Sequence, residues 1–365
     1  MREKGCSREE LFSFLARKRG EDLGYGRILS SMCTRPHPVG VEAEALFAGT
    51  NLGDPGLFPG TAGIERLLVE RLGELLHCRE ACGYATSGGT ESNLQVLRMA
   101  RGLAGVRDPN VVIPESAHFS FEKACDILNI GIRPAPLDRN LRMDPGKAEE
   151  LIDRNTVCLV GIAGTTEYGM VDPIRALSDI AVDRGIFLHV DAAFGGLVIP
   201  FLPEPVPFDF SLPGVSSISV DPHKMGMSPI PAGALLVREE RMLAPLSVAT
   251  PYLTVRNVYT LTGTRPGGPV AGAFAVLEYL GREGMRSLVR GCMANTARLI
   301  AGLETLGIPR AVSPDVNVAT FTCGETPPGW QVSRTRLGHL RIVCMPHVSR
   351  DQVEAFIAAM GELHA

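Results

Sequence analysis

The sequence has no long hydrophobic run and no marked excess of either charge. No stretch approaches the ~18 consecutive apolar residues of a membrane span, and the N-terminal segment lacks the apolar core of a signal peptide. The 36 Lys and Arg residues nearly balance the 40 Asp and Glu residues, so no basic surface for nucleic acid is expected. We therefore expect a cytoplasmic protein that binds neither membranes nor nucleic acid.

A disulfide framework is also missing from the sequence. The nine cysteines are an odd number and lie scattered along the chain, which argues against a set of disulfides. Cys78 and Cys82 are close, but no second pair and no histidine spacing completes a zinc site. No metal is predicted, and most of the cysteines are expected to be small core residues.

What the sequence does contain is an alternation of two kinds of segment between about residues 80 and 240. Short β-branched runs alternate with segments whose apolar residues recur every three or four positions, which is typical of a mainly parallel sheet covered by helices. The predicted fold class is therefore α/β. The expected strands are Val111–Ile113, Val157–Ile162, Ile186–Val190, Ser216–Val220 and Gly233–Val237, and the expected helices are Glu91–Leu103, Ser120–Leu128 and Pro173–Arg184.

Length and composition divide the chain into three regions. The 365 residues suggest two domains, a large sheet domain over residues 51–265 and a small α+β domain over residues 266–365. The small domain would hold a long helix, the strands Asn317–Thr322 and Leu340–Val343, and a last helix from Arg350. Residues 1–50 form a helical or irregular segment. The Pro- and Gly-rich stretch before residue 60 is expected to be too irregular for a helix or strand of its own, and to pack over another surface such as a second subunit.

Polar residues follow the predicted strands, at the sheet edge where open parallel sheets bind ligands. The segment Ser87-Gly88-Gly89-Thr90 leads directly into a predicted helix. Its glycines let the backbone present bare N–H groups, the helix N-terminus adds partial positive charge, and Ser87 and Thr90 add hydroxyls. Together they would form a cradle for a phosphate monoester. A capping turn with Thr90 as the N-cap is an equal alternative for this segment alone.

Three more candidate residues follow strands. Asp191 ends an apolar run, where a buried carboxylate needs a cation or several donors, although a helix N-cap is the commoner role. Lys224 lies beside apolar residues that would desolvate its amine, lower its pKa and make it nucleophilic, whereas most lysines face solvent. His118 can present its ring or an N–H to a ligand, or it can cap a helix. Only the combination of these residues favours a function.

That combination matches the requirements of pyridoxal phosphate. The cofactor needs a lysine for its aldehyde, a carboxylate for its ring nitrogen and an anchor for its phosphate. Lys224, Asp191 and the cradle at residues 88–90 would supply these three groups, and His118 would lie against one face of the ring. A charge-assisted hydrogen bond that the Asp191 carboxylate accepts from the ring nitrogen would keep that nitrogen protonated.

The motifs resemble those of one enzyme family. In this order and spacing, TSGGTESN, AHFSFEKA, GTTEYGMVDP, HVDAAFGG and SVDPHKMGMSPIPAGALLV are similar to the group II pyridoxal-phosphate-dependent amino-acid decarboxylases. Within that family, SMCTRPHPVG, NLGDPGLFPGT, ATPYLTV, LTGTR and LRIVCMPHVSR resemble the archaeal L-tyrosine/L-aspartate decarboxylases of methanofuran and coenzyme A synthesis. The resemblance covers the chain from about residue 28 to its end. It implies a fold-type-I, aspartate-aminotransferase-like large domain with a small C-terminal domain, and a homodimer with its active site at the subunit interface.

The resemblance also assigns roles to single residues. It implies that Lys224 bonds to the cofactor, that Asp191 pairs with the ring nitrogen and that His118 stacks on the ring. Further cofactor contacts would come from Gly88, Gly89, Thr90, Thr166, Ala193, His223 and, across the subunit interface, Thr264.

Two features depart from the larger relatives in the family. Those relatives have Asn where this chain has Asp221, and an acid near a phosphate is unfavourable unless it points away, so no role is assigned to Asp221. The chain also lacks a clear counterpart of the mobile loop whose tyrosine is assigned to protonating the product in those relatives. The proton donor is therefore open among Tyr252, His223 and Lys224.

For the substrate, the resemblance implies an amino acid: L-tyrosine giving tyramine, L-aspartate giving β-alanine, or both. The side chain of aspartate would need a cation, for which Arg341, Arg35 and Arg265 are candidates, each with an ordinary salt bridge as the alternative. His37 is a further candidate for lining the substrate. Alternative reactions on the same fold are those of a glutamate decarboxylase, an aminotransferase or a lyase, and an inactive homologue acting as a scaffold is an alternative of another class.

Overall fold

The computed structural model describes residues 1–364. The strands are β1 (Cys82–Thr86), β2 (Asn110–Pro114), β3 (Gly131–Ala135), β4 (Thr156–Ile162), β5 (Phe187–Asp191), β6 (Val215–Val220), β7 (Gly233–Val237), β8 (Val248–Ala249), β9 (Asn257–Val258), β10 (Val318–Phe321), β11 (Ser333–Arg334) and β12 (Leu340–Val343). The helices are α1 (Arg8–Gly20), α2 (Pro38–Leu46), α3 (Pro59–Leu75), α4 (Gly89–Ala104), α5 (Ser120–Leu128), α6 (Pro145–Glu150), α7 (Ile174–Arg184), α8 (Gly267–Thr305) and α9 (Arg350–His364).

Seven strands form a central sheet in the order β1-β7-β6-β5-β4-β2-β3. The strands from β6 to β3 pair in parallel, and β7 is antiparallel to both of its neighbours, β1 and β6. The sheet is therefore mainly parallel, as predicted. Because β7 is antiparallel to both β1 and β6, β1 runs in the same direction as β6. The carboxyl ends of β1, β2, β4, β5 and β6 therefore all lie at one edge of the sheet. The residues that follow these strands meet there.

Sequence periodicity located most of the elements of this sheet. β7 and α5 have the predicted bounds, and β2, β4, β5 and β6 differ from their predicted ends by one residue. The prediction missed β1 and β3. Gly83 interrupts the β-branched pattern of β1. β3 contains Pro134, a residue that sheets tolerate in an outermost strand such as β3.

The N-terminal region is more regular than predicted. The stretch before residue 60 contains α2, so the expectation that it holds no helix of its own is wrong. α2 forms because Pro38 suits a first helical turn and the His37 side chain accepts a hydrogen bond from the Val39 N–H at 3.3 Å. α2 packs closely on α8, since a Cβ on Gly272 would lie 2.8 Å from the Gly40 carbonyl oxygen.

The C-terminal region adds a second, antiparallel sheet in the order β10-β12-β11. α8 leads into this region and breaks at Gly281, where φ is +58° and ψ is −172°. Phe321 of β10 and Phe356 of α9 belong to the same buried cluster as Leu188 of β5, so the core is continuous across the two regions. The boundaries at residues 50 and 265 stay predictions. No helix within residues 1–364 combines the length and the apolar character that a membrane crossing requires.

Candidate active site

A cavity of about 270 Å³ lies at the sheet edge where β1, β2, β4, β5 and β6 end. Its walls are the last residues of these strands and the loops that follow them. Segments that are far apart in the sequence therefore meet at one place. Nine residues predicted from the sequence line this cavity: Gly88, Gly89, Thr90, His118, Thr166, Asp191, Ala193, His223 and Lys224.

The segment after β1 forms a cradle at one wall of the cavity. Gly88 has φ +144° and ψ 178°, a backbone conformation open essentially to glycine alone. A Cβ on Gly88 would lie 2.8 Å from His223 Cε1, and one on Gly89 would lie 3.1 Å from the Ala193 Cβ. Gly88 is also the N-cap of α4, so Thr90 is not. The N-terminus of α4 thus offers N–H groups and partial positive charge, as an anion site requires.

Asp191 ends β5 as a buried carboxylate with several donors. Its Oδ1 accepts from the Ala193 N–H at 3.0 Å and the Ser219 hydroxyl at 3.1 Å, and its Oδ2 accepts from the Asn93 amide at 2.9 Å. Burial alone would raise the pKa of Asp191, but the Lys224 charge and these hydrogen bonds outweigh it and hold the pKa below its ordinary value. Asp191 is therefore an anion that lines the cavity.

Asn93 is a residue of this site that the sequence reading missed. Its Nδ2 donates to Asp191 and to Ser120 Oγ, and its Oδ1 accepts from His189 Nε2 at 3.1 Å. Burial lowers the pKa of His189 to about 4, so its ring is neutral, and Nδ1 accepts from the Ser217 hydroxyl at 2.8 Å. Ser217 and His189 thereby orient the amide that binds Asp191. The one signal in the sequence was the position of Asn93 within TSGGTESN.

Lys224 follows β6 and carries its charge next to Asp221. About one-fifth of the Lys224 side chain is exposed, and Nζ lies 3.1 Å from Asp221 Oδ2. Burial alone would lower the pKa of Lys224, but the Asp221 and Asp191 carboxylates outweigh it and raise the pKa. The expectation of a lowered pKa is therefore wrong. Nor does Asp221 point away from the cradle, because its Oδ2 accepts from the Gly89 N–H at 3.1 Å.

Two neutral histidines complete the cavity. His118 Nδ1 accepts from the Ser120 N–H at 3.2 Å, and His223 Nδ1 accepts from the Ala232 N–H at 3.0 Å. Burial lowers the pKa of both rings. Each ring therefore carries its proton on Nε2, and His223 Nε2 lies 3.6 Å from Asp221 Oδ2.

This arrangement coincides with a family match over most of the chain. Residues 45–316 match the model of the pyridoxal-dependent decarboxylase conserved domain. The chain belongs to the pyridoxal-dependent decarboxylases. The family predicted from the motifs is confirmed, and with it the cofactor class.

Individual relatives of this decarboxylase extend the match to the full length. A protein of Methanoculleus marisnigri named probable L-tyrosine/L-aspartate decarboxylase is 66% identical over 365 residues, which cover 100% of both chains. A protein of Archaeoglobus fulgidus named probable L-aspartate decarboxylase is 50% identical over 349 residues, 93% of this chain and 95% of that one. The structure of sphingosine-1-phosphate lyase from Burkholderia pseudomallei superposes with a TM-score of 0.91 at 30% identity, over 99% of this chain and 91% of the lyase. The predicted fold-type-I architecture is confirmed.

The decarboxylase cavity fits pyridoxal phosphate. A phosphate suits the N-terminus of α4, where a Cβ on Gly88 would fill the space that the backbone leaves. The ring nitrogen suits the Asp191 carboxylate, and the aldehyde suits the Lys224 amine. His118 and Ala193 line the same cavity, and their contacts with the faces of the ring stay predictions.

Four other predicted residues lie outside the cavity of their own chain. Thr264 and Tyr252 are exposed, Tyr252 to 84%. His37 caps α2 and, together with the exposed Arg35, lines a separate cleft. Within one chain of the decarboxylase, therefore, none of these residues lines the cofactor cavity.

The two remaining candidates, Arg265 and Arg341, do not line the cavity either, and they differ in their hydrogen-bond partners. Arg265 forms a buried ion pair with Glu65, so the salt-bridge alternative holds and its interpretation as a free substrate cation is wrong. Arg341 is 7% exposed. Its Nε donates to the Thr166 carbonyl, and its Nη1 donates to the Ser30 carbonyl at 3.1 Å. Its Nη2 has no hydrogen-bond partner among residues 1–364. Burial lowers the pKa of Arg341 to about 10, which still leaves the guanidinium charged at neutral pH.

Proposed function

We propose that this decarboxylase acts in the cytoplasm on L-tyrosine, giving tyramine, on L-aspartate, giving β-alanine, or on both. The observation that carries the chemistry is the meeting of Lys224, Asp191 and the cradle at residues 88–90 on one cavity. The two amino acids are taken from the names of relatives that are 66% and 50% identical over nearly the whole chain.

Asp191 acts in this proposal by remaining charged. Bound pyridoxal phosphate supplies a sink for the electrons that a departing carboxylate leaves behind. The Asp191 carboxylate, oriented by Asn93 and Ser219, holds a proton on the ring nitrogen and thereby strengthens that sink. Its buried position keeps water from competing for the same hydrogen bond.

Lys224 and His223 are the groups placed to return a proton to the substrate carbon. Both line the cavity, and each carries a proton in this structure, on Nζ and on Nε2 respectively. Tyr252, the third candidate, would reach a cavity only from a second subunit. We assign the proton transfer to Lys224 or His223 of the same chain or, in the dimer proposed below, to Tyr252 of the partner subunit.

Arg341 is the group that we assign to a substrate carboxylate. It lies directly behind Thr166, which lines the cavity, and its Nη2 has no other partner in the described part of the chain. A buried guanidinium with an unused donor is a favourable partner for a carboxylate. With aspartate, this carboxylate would be either the one on the α-carbon or the one on the side chain.

Turnover of tyrosine, aspartate and glutamate by the cofactor-loaded enzyme tests the proposed function. We expect one carbon dioxide per tyramine or β-alanine, and we expect Arg341→Met to raise KM by about tenfold or more, because a charge-assisted hydrogen bond contributes roughly 1.5–3 kcal/mol. Arg298→Met, an exposed change outside the cavity, should leave KM unchanged. A keto acid as product would favour an aminotransferase, and no turnover of any of the three would contradict the assignment.

We also propose a homodimer whose subunits share their sites. The loops that carry Leu57 and Tyr252 are joined, because the Thr254 N–H donates to Asp54 Oδ1 at 3.1 Å. Leu57 is 66% exposed and Tyr252 is 84% exposed, so these loops present large apolar side chains to solvent. A second copy of the chain would cover this patch and bring Tyr252 and Thr264 to the partner cavity.

A charge placed in this patch tests the dimer. We expect Leu57→Glu to give the mass of one chain in light scattering and to lose at least about tenfold in activity, because buried charges destabilise an apolar interface. The matched control is Ile127→Glu on α5, where the side chain is also 66% exposed. A Leu57→Glu protein that is monomeric and fully active would contradict the shared site.

A further inference from the structure

The cradle contains an acid that the phosphate would have to meet. Asp221 is 2% exposed, and its Oδ2 accepts from the Gly89 N–H and from Lys224 Nζ, both at 3.1 Å. Its Oδ1 is buried and has no hydrogen-bond partner within residues 1–364. A carboxylate therefore uses an N–H group of the same helix N-terminus that suits the phosphate.

The Asp221 carboxylate in this position would repel a phosphate bound in the cradle. The second pKa of a phosphate monoester is about 6, so in water at neutral pH it is mostly a dianion. A dianion in the cradle and the Asp221 carboxylate would compete for the Gly89 N–H and repel each other. Two oxyanions in such a position are stable together when a proton lies between them, because one then donates to the other.

The other titratable groups around Asp221 supply little compensation. His223, on the same loop, and His118, before α5, have pKa values lowered by burial and are neutral at neutral pH. Cys33, from the N-terminal region, has a pKa raised by burial, so its thiol is neutral as well. Asp191 adds a further negative charge that acts on Lys224. Lys224 is the cation of this group, and it faces two carboxylates.

We propose that Asp221 binds the cofactor phosphate through a shared proton, so that each phosphate enters the cradle together with one proton from the solvent. The proposal rests on the cofactor of the proposed function. In the step, one carboxylate, one phosphate dianion and one proton combine into a single O–H···O pair, in which the phosphate, as the stronger base, carries the proton and donates it to the Asp221 carboxylate, and no electrons are transferred. Asp221 thus belongs to the phosphate site, as an acid where the larger relatives have an amide.

Calorimetric titration of the cofactor-free enzyme with 4′-deoxypyridoxine 5′-phosphate tests whether Asp221 and the phosphate share a proton. The probe has the ring and the phosphate but no aldehyde, so it does not bond to Lys224. Titrations at pH 8 in buffers of different ionisation enthalpy count the protons taken up. We expect the wild type to take up about one proton more than Asp221→Asn. Above pH 7, the affinity of the wild type for the probe should therefore fall by an additional factor of about ten for each pH unit. The ring contacts are common to both proteins, so the difference isolates Asp221.

Asp209→Asn provides the matched control. Asp209 is 4% exposed and accepts from the Ser211 N–H at 2.9 Å, but it does not line the cavity. This variant should keep the proton uptake of the wild type. Equal uptake by the wild type and Asp221→Asn would overturn the proposal while leaving the cofactor assignment intact. Failure of the wild type to bind the probe at all would overturn the cofactor assignment as well.

A second measurement covers the case in which Asp221→Asn does not fold. The ³¹P resonance of the probe bound to the wild type should keep a protonated position from pH 6 to pH 8, whereas free probe titrates near pH 6. A bound resonance at the dianion position throughout this range would overturn the proposal.

Discussion

Lys224→Ala is expected to remove both the visible absorbance of the bound cofactor and the decarboxylase activity. In the proposed function the Lys224 amine, which lines the cavity together with Asp221 and Asp191, is the nucleophile, and alanine offers nothing that can bond to an aldehyde. Turnover should fall by a factor on the order of 10⁴ or more, as it does when other enzymes lose a covalent catalytic group. Carbon dioxide release and an absorbance spectrum of the same purified sample measure the two effects together.

The matched control for this change is Lys147→Ala. Lys147 is exposed on α6 and pairs with Glu150, away from the cavity, so its loss should change neither the spectrum nor turnover. Circular dichroism melting establishes that both variants fold. Wild-type turnover by a folded Lys224→Ala protein would remove Lys224 from its assigned role.

Asp191→Asn is expected to lower turnover by roughly 10²- to 10³-fold, the range found when an enzyme loses one preorganised hydrogen-bonding group that stabilises charge in the transition state. The amide has nearly the same shape but no charge, so the ring nitrogen would lose the partner that keeps it protonated. The new NH₂ group would also face a donor, either the Asn93 amide or the Ala193 N–H and Ser219 hydroxyl. Turnover at saturating substrate and cofactor separates this effect from weaker binding.

A second buried aspartate controls for the loss of a buried charge in general. Asp209 is 4% exposed, against 7% for Asp191, and pairs with His77 at 2.8 Å. Asp209→Asn should cost stability without changing turnover. Equal turnover losses in the two variants would show that Asp191 acts through the fold, whereas loss confined to Asp191→Asn supports its contact with the ring.

The predictable part of the site follows from strand topology. Asp191 ends a strand, Lys224 and His118 each lie a few residues after one, and parallel strands bring their carboxyl ends to one edge. Their relative positions were therefore predictable before any distance was known. Gly88 was predictable for a different reason, because a backbone turn at a helix N-terminus requires glycine.

The parts that escaped prediction depend on contacts between distant segments. Asn93 is one polar residue among several in α4, and only the positions of His189 and Ser120 direct its amide to Asp191. The direction of the Asp221 side chain likewise depends on Gly89, which lies 132 residues earlier in the chain. The raised pKa of Lys224 depends in turn on these carboxylates, and local apolar neighbours suggested the opposite.

The position of β1 determines when the cofactor site can form. β1 is the first strand of the sheet in sequence, yet its one neighbour in the sheet is β7, the last, so residues 82–86 pair with residues 233–237. Pairing over such a separation closes a long loop and comes late in folding. The cradle at Gly88 follows β1 directly, and its geometry is therefore set only after β7 has been synthesised and has paired. Capture of the cofactor would then report completion of the sheet, and a chain that ends before residue 233 would lack the site even though it contains Lys224.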